Sequence, residues 1–432
     1  MDLWLLFLCA LGVAVRAAIF YSPLSGAISE RVELSTPQTA WRRVVEALTL
    51  LDLGVSPYEG DTFHETPMII YIFHFLIDYS ELVFTVVDIT TTVILYLSAK
   101  KTALHLWEKQ KSRKWSVDVS AILLRPKSLH WLPLHVAAAY LLNPLTIATC
   151  VARSTCALHN LLLALLMLAT QNNSIILSAV FLALASYESL YPVVLLLPVI
   201  LQLAQKEVKG KLTLRNPYLL CFILEYTVVF LGCLSVLLML SYSLLYSSDF
   251  IPAVYGFILS VPDLTPNVGL FWYFFTEVFE HFRLFFICIF QLNAFIYTLP
   301  LIIVLSDHPQ FLMFIQIALL AVFKSYPNLG DVAFYLALLP TWAHLNRYLR
   351  NSFLVLCLLL SCGVLFPILW HLWVFSGSAN ANFYYAATLA FSTAQILLIS
   401  DYLYAFRRRE FHLKHGIEIK TEDGRKMMVE LK

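Results

Sequence analysis

Side chains that could take part in chemistry are concentrated in three segments of the chain, 21–67, 247–282 and 376–385. The first segment, residues 21–67, contains Glu30, Glu33, Asp52 and His64. A sequestered carboxylate is a candidate general base, so the acids are the candidates if the chain is an enzyme. Asp52 and His64 are also candidate polar contacts for a ligand. No Ser–His–Asp or Cys–His set, phosphate-binding loop or Asp-x-Asp motif has a suitable context, so the sequence predicts no catalytic residue, metal site or cofactor.

The turn at 376–382 favours binding over catalysis. It reads Ser-Gly-Ser-Ala-Asn-Ala-Asn, and its small residues would let a ligand approach the backbone. Asn380 and Asn382 offer hydrogen-bond donors and acceptors without charge. They are the first candidates for contacts with a sugar or phosphate head group, although a plain turn has the same composition. Phe383 and Tyr385 follow them as candidate contacts at the boundary between the head group and acyl chains.

The third segment, 247–282, mixes apolar residues with proline. It is too apolar to lie in water and too short and proline-rich to cross a membrane twice. This favours a re-entrant or interfacial segment shielded by protein. Asp263 and Asn267 are its candidate polar contacts. Trp272 and Tyr273 belong to an aromatic run that suits acyl chains, a headgroup belt or plain packing.

The elements that must position these segments are membrane helices. The chain has 432 residues, of which 60% are hydrophobic and 13% charged, whereas soluble domains have about 25% charged residues. A helix crosses the hydrocarbon core in roughly 20 residues, so we expect one all-α membrane domain over 1–432, a polytopic transmembrane helix bundle of about 12 spans. The predicted spans are 3–20, 68–98, 131–151, 157–171, 175–187, 189–204, 218–246, 283–305, 310–323, 331–343, 353–375 and 383–405. The short spans suggest helices that break at Pro192, Pro198, Pro309 or Pro340 and pack inside the bundle.

The basic residues predict the orientation of this bundle. With the N-terminus in the cytosol, 22 Lys and Arg residues lie on the cytosolic side, many of them in the loop 99–130 and the tail 406–432, and six lie on the opposite side. This distribution satisfies the positive-inside rule with both termini in the cytosol. The segments 21–67 and 247–282 then face the lumen. The net charge of +1 predicts no nucleic-acid partner.

Three local patterns bear on packing. Residues 39–48 have the amphipathic spacing typical of a helix that lies in the membrane interface. Arg16 is near the far end of the first span, where it can snorkel or pair with an acid. Cys150 and Cys156 flank a predicted lumenal end and could form a disulfide.

Several stretches of the chain carry a resemblance to a known family. They are Ser29-Glu-Arg-Val-Glu33, Leu50-Leu-Asp-Leu-Gly-Val-Ser-Pro-Tyr58, Phe63-His-Glu-Thr-Pro67, Ile72-Phe-His-Phe-Leu-Ile-Asp-Tyr79, Asp249-Phe-Ile-Pro-Ala-Val-Tyr-Gly-Phe-Ile-Leu-Ser-Val-Pro-Asp-Leu-Thr-Pro-Asn267 and Gly377-Ser-Ala-Asn-Ala-Asn-Phe383. Together they resemble the PIG-U family, multispanning subunits of the glycosylphosphatidylinositol (GPI) transamidase of the endoplasmic reticulum. The resemblance runs along the whole chain.

This resemblance implies a non-catalytic membrane subunit that holds the GPI glycolipid and helps to assemble the complex. The implied partners are the other subunits, PIG-K, PIG-S, PIG-T and a GPAA-type subunit, together with membrane lipids. In the family the catalytic Cys and His belong to PIG-K, and the complex joins the carboxyl end of a cleaved protein to GPI.

A more distant resemblance is to the dolichol-phosphate-mannose-dependent GPI mannosyltransferases of GT-C architecture. It rests on Ser56-Pro-Tyr58 with Thr66-Pro67, and on Asn143-Pro144 with Ser154-Thr155. Those enzymes carry an Asp-x-Asp motif in the first lumenal loop. Here Arg31 stands between acids in the corresponding stretch, which implies a GT-C-like scaffold kept for binding a lipid-linked glycan.

Two other functions stay open at this point. An active lipid-linked sugar transferase would depend on Glu30 or Glu33. A transporter would account for acids within the predicted spans, which are Asp78, Glu81, Asp88 and Glu225, but no internal repeat is found. Pairing within the bundle is the structural alternative for these acids.

Overall fold

The computed structural model describes residues 3–112, 117–207 and 217–417. Within these ranges the chain is helical and contains no strand, as the sequence predicts for an all-α protein. The basic segment 208–215 and the tail 418–432, on which part of the predicted orientation depends, lie outside the described residues, as do residues 113–116 of the loop 99–130.

The α-helices follow one another with short connections. They are α1 Leu3–Phe20, α2 Leu24–Ser29, α3 Trp41–Asp52, α4 Pro67–Leu76, α5 Ser80–Lys111, α6 Pro126–Leu141, α7 Pro144–Val151, α8 Cys156–Gln171, α9 Ile175–Glu188, α10 Leu196–Glu207, α11 Pro217–Leu245, α12 Phe257–Ser260, α13 Phe271–Glu277, α14 Glu280–Ile296, α15 Thr298–Leu305, α16 Pro309–Phe323, α17 Leu329–Leu338, α18 Ser352–Trp370 and α19 Ala381–His415. Tighter 3-10 segments are Ile77–Tyr79, Val117–Ile122, Tyr191–Leu195 and Leu339–Tyr348, and wider π-helical segments are Ile251–Gly256 and His371–Phe375.

Six helical segments in the described ranges are long and apolar enough to cross a membrane. They are Leu3–Phe20, Pro67–Lys111, Tyr218–Leu245, Glu280–Leu305, Ser352–Phe375 and Ala381–His415, and a bent pair, Val119–Leu141 with Pro144–Val151, would make a seventh. The other five predicted spans correspond to shorter helices, α8, α9, α10, α16 and α17. The multipass character is therefore clear, while the count of about 12 spans stays a prediction.

Of the short helices, α16 lies in the middle of the bundle. Nearly every residue of α16 between Phe311 and Val322 is buried, whereas large apolar side chains of α11, such as Leu224 and Val228, are exposed. A helix that is apolar on all sides and surrounded by protein needs no contact with lipid. The expectation that these short helices pack inside the bundle holds for α16.

Prolines mark the starts of several of these elements. Pro309 is the first residue of α16, Pro340 and Pro192 stand near the starts of 3-10 segments, and Pro198 lies in the first turn of α10. Proline lacks a backbone N–H, so it is tolerated at a helix start and interrupts a helix elsewhere.

An ion pair fastens the first helix to the bundle. Arg16 of α1 is completely buried, and its Nε and Nη2 donate to Oδ2 of Asp88 in α5 at 2.9 and 2.7 Å. Its Nη1 donates to the carbonyl of Leu141 at 3.0 Å, and Tyr140 donates to Asp88 Oδ1 at 3.2 Å. The sequence allows Arg16 either to snorkel or to pair with an acid, and in the structure it pairs with Asp88.

The polar segments predicted to face the lumen pack against one another. In α3, Val44 and Leu48 are buried, and Trp41 packs edge-on against Phe73 and Phe84. The apolar face of α3 therefore packs against the rest of the protein. Arg43, on the side away from this face, reaches segment 247–282, where its Nη2 lies 2.6 Å from Asp263 Oδ2.

The disulfide considered between Cys150 and Cys156 does not form. Both thiols are free and buried. Cys156, at the start of α8, turns toward α17 and donates to Asp331 Oδ1 at 3.5 Å, while Cys150 packs in the apolar cluster around α3, α4 and α5. The two side chains therefore belong to different environments.

Candidate functional site

A cavity of about 870 Å³ lies between α7, α17, α18 and α19. Apolar side chains make up most of its wall, among them Leu145, Val332, Leu359, Phe391 and Leu398. Ligand sites for small molecules usually enclose about 300–1,000 Å³ and are mainly apolar, so the volume suffices for a substantial ligand.

The cavity is elongated along the bundle. Its wall on α18 extends from Ser352 to Pro367, which is about 22 Å of helix at 1.5 Å per residue. One leaflet of a bilayer is roughly half of a 30 Å hydrocarbon core. The shape therefore suits a lipid chain better than a compact polar metabolite.

Two glycines affect the cavity differently, since one allows close helix packing beside it and the other leaves its interior open. At Gly330, at the start of α17, an added Cβ would lie 2.9 Å from both Cys156 Sγ and a methyl of Thr149, so its absence lets α17 approach α7 and α8. At Gly363 of α18 a Cβ would meet no atom within 4 Å, and this residue lines the cavity. The missing side chain at Gly363 thus leaves the cavity wide.

Charged side chains form a rim at one end of the cavity. Arg31 Nε and Nη2 donate to the two oxygens of Glu33 at 3.0 and 2.5 Å, and Tyr384 of α19 donates to Glu33 Oε1 at 2.9 Å. The side chain of Glu33 is 4% exposed and that of Arg31 is 25% exposed. The carboxylate is fully engaged, while part of the guanidinium faces outward, where an anionic group could reach it.

The rim is anchored to α17 by backbone and amide contacts. The carbonyl of Glu33 accepts from the amide of Leu329 at 3.1 Å. Asn328 caps α17 with its side-chain oxygen and uses its amide nitrogen to reach the carbonyl of Leu34 and the Ser154 hydroxyl, the latter at 3.0 Å. This anchoring fixes Arg31 and Glu33 over the cavity.

Four of the predicted ligand contacts come together next to the rim. Tyr273 donates to Asn382, Tyr385 donates to the carbonyl of Leu270 at 3.0 Å, and the ring of Trp272 lies 5.6 Å from that of Tyr385. Trp272 also lies 6.1 Å from Tyr384, which bonds to Glu33. The indole N–H of Trp272 is buried without a partner among the described residues.

Asn380 and Phe383 lie on the outer side of the same turn. Asn380 precedes α19 and makes no side-chain capping bond, and its side chain is exposed, as is that of Phe383. Both are therefore accessible, but neither lines the large cavity. Their role in binding a head group stays a prediction.

Asp52 and His64 lie apart from the cavity. Asp52, at the end of α3, has a side chain that is 65% exposed and lies 3.6 Å from His74. His64 is buried and its ring stacks on that of Phe257 with the centroids 3.4 Å apart, while Nδ1 lies 2.9 Å from the carbonyl oxygen of Ala253 and Nε2 lies 3.2 Å from that of Asp61. Burial lowers the pKa of His64, and nearby Arg43 lowers it further. These contacts give His64 an evident role in joining the two polar segments.

Asp263 and Asn267 also make contacts within the protein. Burial would raise the pKa of Asp263, but hydrogen bonds from Thr265 and Arg43 outweigh that effect and hold the pKa below its ordinary value. Asn267 is fully buried, and its side chain accepts from the amide of Gly269 at 2.8 Å. Neither residue lines the large cavity, so their ligand contacts stay predictions.

Near its end, the first segment contains a buried acid, Glu65. Glu65 is 3% exposed and accepts a hydrogen bond from the hydroxyl of Thr155. Burial, together with the nearby charge of Glu188, raises the pKa of Glu65 to about 8. Glu65 is therefore protonated in the folded protein at neutral pH.

The cavity residues of α7, α17, α18 and α19 are absent from the contacts predicted by sequence. Glu33 stood out in the sequence as a candidate general base, and Arg31 only as the residue between acids in an altered acidic motif. The one signal that pointed to the wall was Asn143-Pro144, quoted for a distant resemblance, and both residues do line the cavity.

Comparisons with known proteins agree on one family. A family model described as GPI transamidase subunit PIG-U matches residues 10–391. The chain is 54% identical to the human GPI-anchor transamidase component PIGU over 432 residues, 99% of each chain, and 55% identical to that of Mus musculus over 424 residues, 97% of each chain. It is 31% identical to the GPI transamidase component GAB1 of Saccharomyces cerevisiae over 409 residues, 93% of this chain and 94% of that relative.

Proposed function

Because this chain belongs to the PIG-U family of GPI transamidase subunits, we propose that it binds and presents the GPI lipid and scaffolds the complex without catalysing the reaction itself. The observation that carries the proposal is the 870 Å³ apolar cavity with a charged rim. A glycolipid joins hydrocarbon chains to a phosphate-bearing polar head, and the site likewise joins an apolar cavity to a charged rim.

The hydrocarbon part of the lipid would occupy the cavity. Its wall, which includes Val332 of α17, Leu359 of α18 and Leu398 of α19, offers mainly carbon contacts over about 20 Å of helix. Lipid tails are as apolar as these side chains, so affinity comes from shape and van der Waals packing.

The polar head would lie at the rim and at the turn 376–382. Arg31 supplies a partly exposed guanidinium for a phosphate, and such pairs are strong because the donors form a planar fork. Asn380 and Asn382 offer amides to sugar hydroxyls, and Tyr273, Phe383 and Tyr385 offer aromatic surface near the same turn. Trp272 is buried and packs against Tyr385, so it would support this surface.

A separate catalytic function is less well supported. Glu33, an acid on which a sugar transferase would depend, is occupied by Arg31 and Tyr384. A transporter is also less well supported, because Asp88 is committed to Arg16. The engaged state of these acids favours a binding role over a reaction at this chain.

The cellular setting follows from the family and the charge pattern. The chain would reside in the endoplasmic reticulum membrane with about 12 spans, a GT-C-like arrangement and both termini in the cytosol. PIG-K, PIG-S, PIG-T and a GPAA-type subunit would be its partners, and PIG-K would supply the catalytic residues.

Filling the cavity tests the proposal. Gly363→Phe adds a ring where a Cβ meets open space, and phenylalanine suits a helix better than glycine, so the variant should fold. In cells that depend on this chain, surface GPI-anchored protein should fall severalfold with normal complex assembly. Gly232→Phe is the matched control. Gly232 lies in the membrane helix α11, and a Cβ added there would also meet no atom within 4 Å, but this residue does not line the cavity.

The expected result is loss in Gly363→Phe and wild-type output in Gly232→Phe, measured by flow cytometry and by co-purification of the subunits. Normal output from a stably assembled Gly363→Phe variant would show that the cavity holds no part of the lipid.

A further inference from the structure

A second, smaller cavity with charged side chains in its wall lies at the opposite end of the bundle. It measures about 60 Å³ and lies between α5, α16, α19 and the 3-10 segment Leu339–Tyr348. The titratable side chains in its wall are His105, Lys109, His308, His344, Arg409 and Glu410, and Gln110 and Gln310 also line it. Arg409 follows Tyr384 by 25 residues of the same helix, so it lies about 37 Å from the rim of the large cavity.

Arg409 is under-coordinated in this wall. It is 6% exposed, yet its Nε has no partner among the described residues. Its Nη2 reaches the carbonyl of Ile122 only at 3.4 Å, and its Nη1 lies 3.9 Å from Glu410. A guanidinium has five N–H donors, and a buried donor without an acceptor is costly. Arg409 therefore leaves donors unused beside an open cavity.

The other charged groups form a chain of contacts across the cavity. Lys109 Nζ donates to the carbonyl of Asp307 at 2.9 Å and lies 3.1 Å from His308 Nδ1. Because an ammonium can only donate, Nδ1 accepts and the proton of His308 is on Nε2, which lies 3.3 Å from Glu410. His308 is thus neutral and relays the contact from Lys109 to Glu410.

The net charge of the wall is positive. Burial and, to a smaller extent, the nearby charge of Arg409 together lower the pKa of His344 to about 3, so this imidazole is neutral at pH 7. Burial and Lys109 also lower the pKa of His308. Among the described residues that line the cavity, Lys109 and Arg409 supply two positive charges and Glu410 supplies one negative charge, while His308 and His344 are neutral.

We propose that this cavity binds a phosphate-sized oxyanion that carries one proton, either inorganic hydrogen phosphate or the phosphomonoester head of a lipid. The planar fork of Arg409 matches two phosphate oxygens, and Lys109 adds a point charge. Glu410 would repel a fully ionised anion but accepts the P–O–H proton, so sulfate and phosphodiesters, which have none at pH 7, are disfavoured. The partly exposed side chains of His308 and Glu410 leave the cavity accessible.

The test is binding of radiolabelled inorganic phosphate to the purified transamidase complex that contains this chain. We expect saturable binding that a tenfold excess of sulfate does not displace. Arg409→Gln should weaken it at least tenfold. Arg407→Gln, an exposed arginine two residues earlier on the same helix, should leave it within twofold and is the matched control.

A variant with the opposite expected effect separates loss of the site from misfolding. Glu410→Gln removes the repulsive carboxylate, so phosphate should bind at least as tightly and sulfate should now compete. Vesicles of phosphatidylcholine with phosphatidic acid, compared with phosphatidylcholine alone, identify the source: displacement of phosphate assigns the site to a lipid head, and no displacement assigns it to the free ion. Absence of saturable binding, equal competition by sulfate in the wild type, or equal loss in Arg407→Gln would overturn the proposal.

Discussion

Breaking the buried ion pair between Arg16 and Asp88 should destabilise the protein in a way that depends on which partner is removed. Asp88→Asn leaves the guanidinium of Arg16 fully buried with only carbonyl and amide oxygens around it. Arginine cannot lose its proton in a protein. The cost should therefore be the full penalty for an unpaired buried charge, about 3–5 kcal/mol, and it should be the same at pH 5 and pH 7.

Arg16→Met instead leaves the carboxylate of Asp88 buried without its cation, but this group can become neutral. Asp88 can take up a proton and keep its hydrogen bond with Tyr140. Neutralising an ordinary carboxyl costs about 4 kcal/mol at pH 7 and about 1.5 kcal/mol at pH 5, at roughly 1.36 kcal/mol per pH unit. Relative to the wild type, Arg16→Met should thus recover up to about 2.7 kcal/mol between pH 7 and pH 5.

Thermal unfolding of the purified protein in detergent at both pH values measures these differences. The double variant Arg16→Met with Asp88→Asn should cost less than the sum of the single changes, because it leaves no charge behind. Glu225→Gln is the control, since Glu225 is an exposed acid of α11 and should change little. A pH-independent cost for Arg16→Met, or a cost below about 1 kcal/mol for Asp88→Asn, would refute the reasoning.

Two further predictions concern the polar segments. Changing Asn380 and Asn382 to Lys should lower surface GPI-anchored protein while the subunits still co-purify, since both side chains are exposed; normal output with normal assembly would remove these amides from the ligand site. Glu65→Gln should flatten the pH dependence of stability. The pKa of Glu65 is about 8 in the fold, above its unfolded value, so the stability that it contributes below about pH 4.5 is lost as the pH rises to 8, on the order of 4 kcal/mol. The wild type should lose more stability than Glu65→Gln between pH 5 and 8, measured by thermal unfolding, and parallel curves would contradict the assignment.

Residue type and local spacing sufficed for part of the candidate site. Trp272, Tyr273, Asn382 and Tyr385 are candidates from sequence because aromatic and amide residues concentrate in two separate segments, and the structure brings these four side chains together. The same reasoning could not separate them from His64 and the other polar residues that serve to join loops. What distinguishes a residue with a structural role from one that a ligand can reach is the burial of its side chain and its hydrogen-bond partners. Both depend on neighbours that are distant in sequence.

No comparable pattern in the sequence indicated the position of the large cavity. Leu359 lines it and Phe353 is 79% exposed, yet both are large apolar residues of α18. In a soluble helix the apolar stripe marks the buried face, but a membrane helix is apolar toward lipid and toward protein alike. Hydrophobic periodicity therefore cannot locate a cavity between such helices.

The sequence by itself determined that the chain is helical, multipass and related to the PIG-U family, because apolar run length and local motifs are properties of contiguous residues. Only the tertiary structure decided that Arg16 pairs with Asp88, that Cys150 and Cys156 stay apart, and that Glu33 is held by Arg31 and Tyr384 above an apolar cavity. Glu33 and Tyr384 are 351 residues apart, and their contact exists only because the first loop and α19 meet at the same end of the bundle.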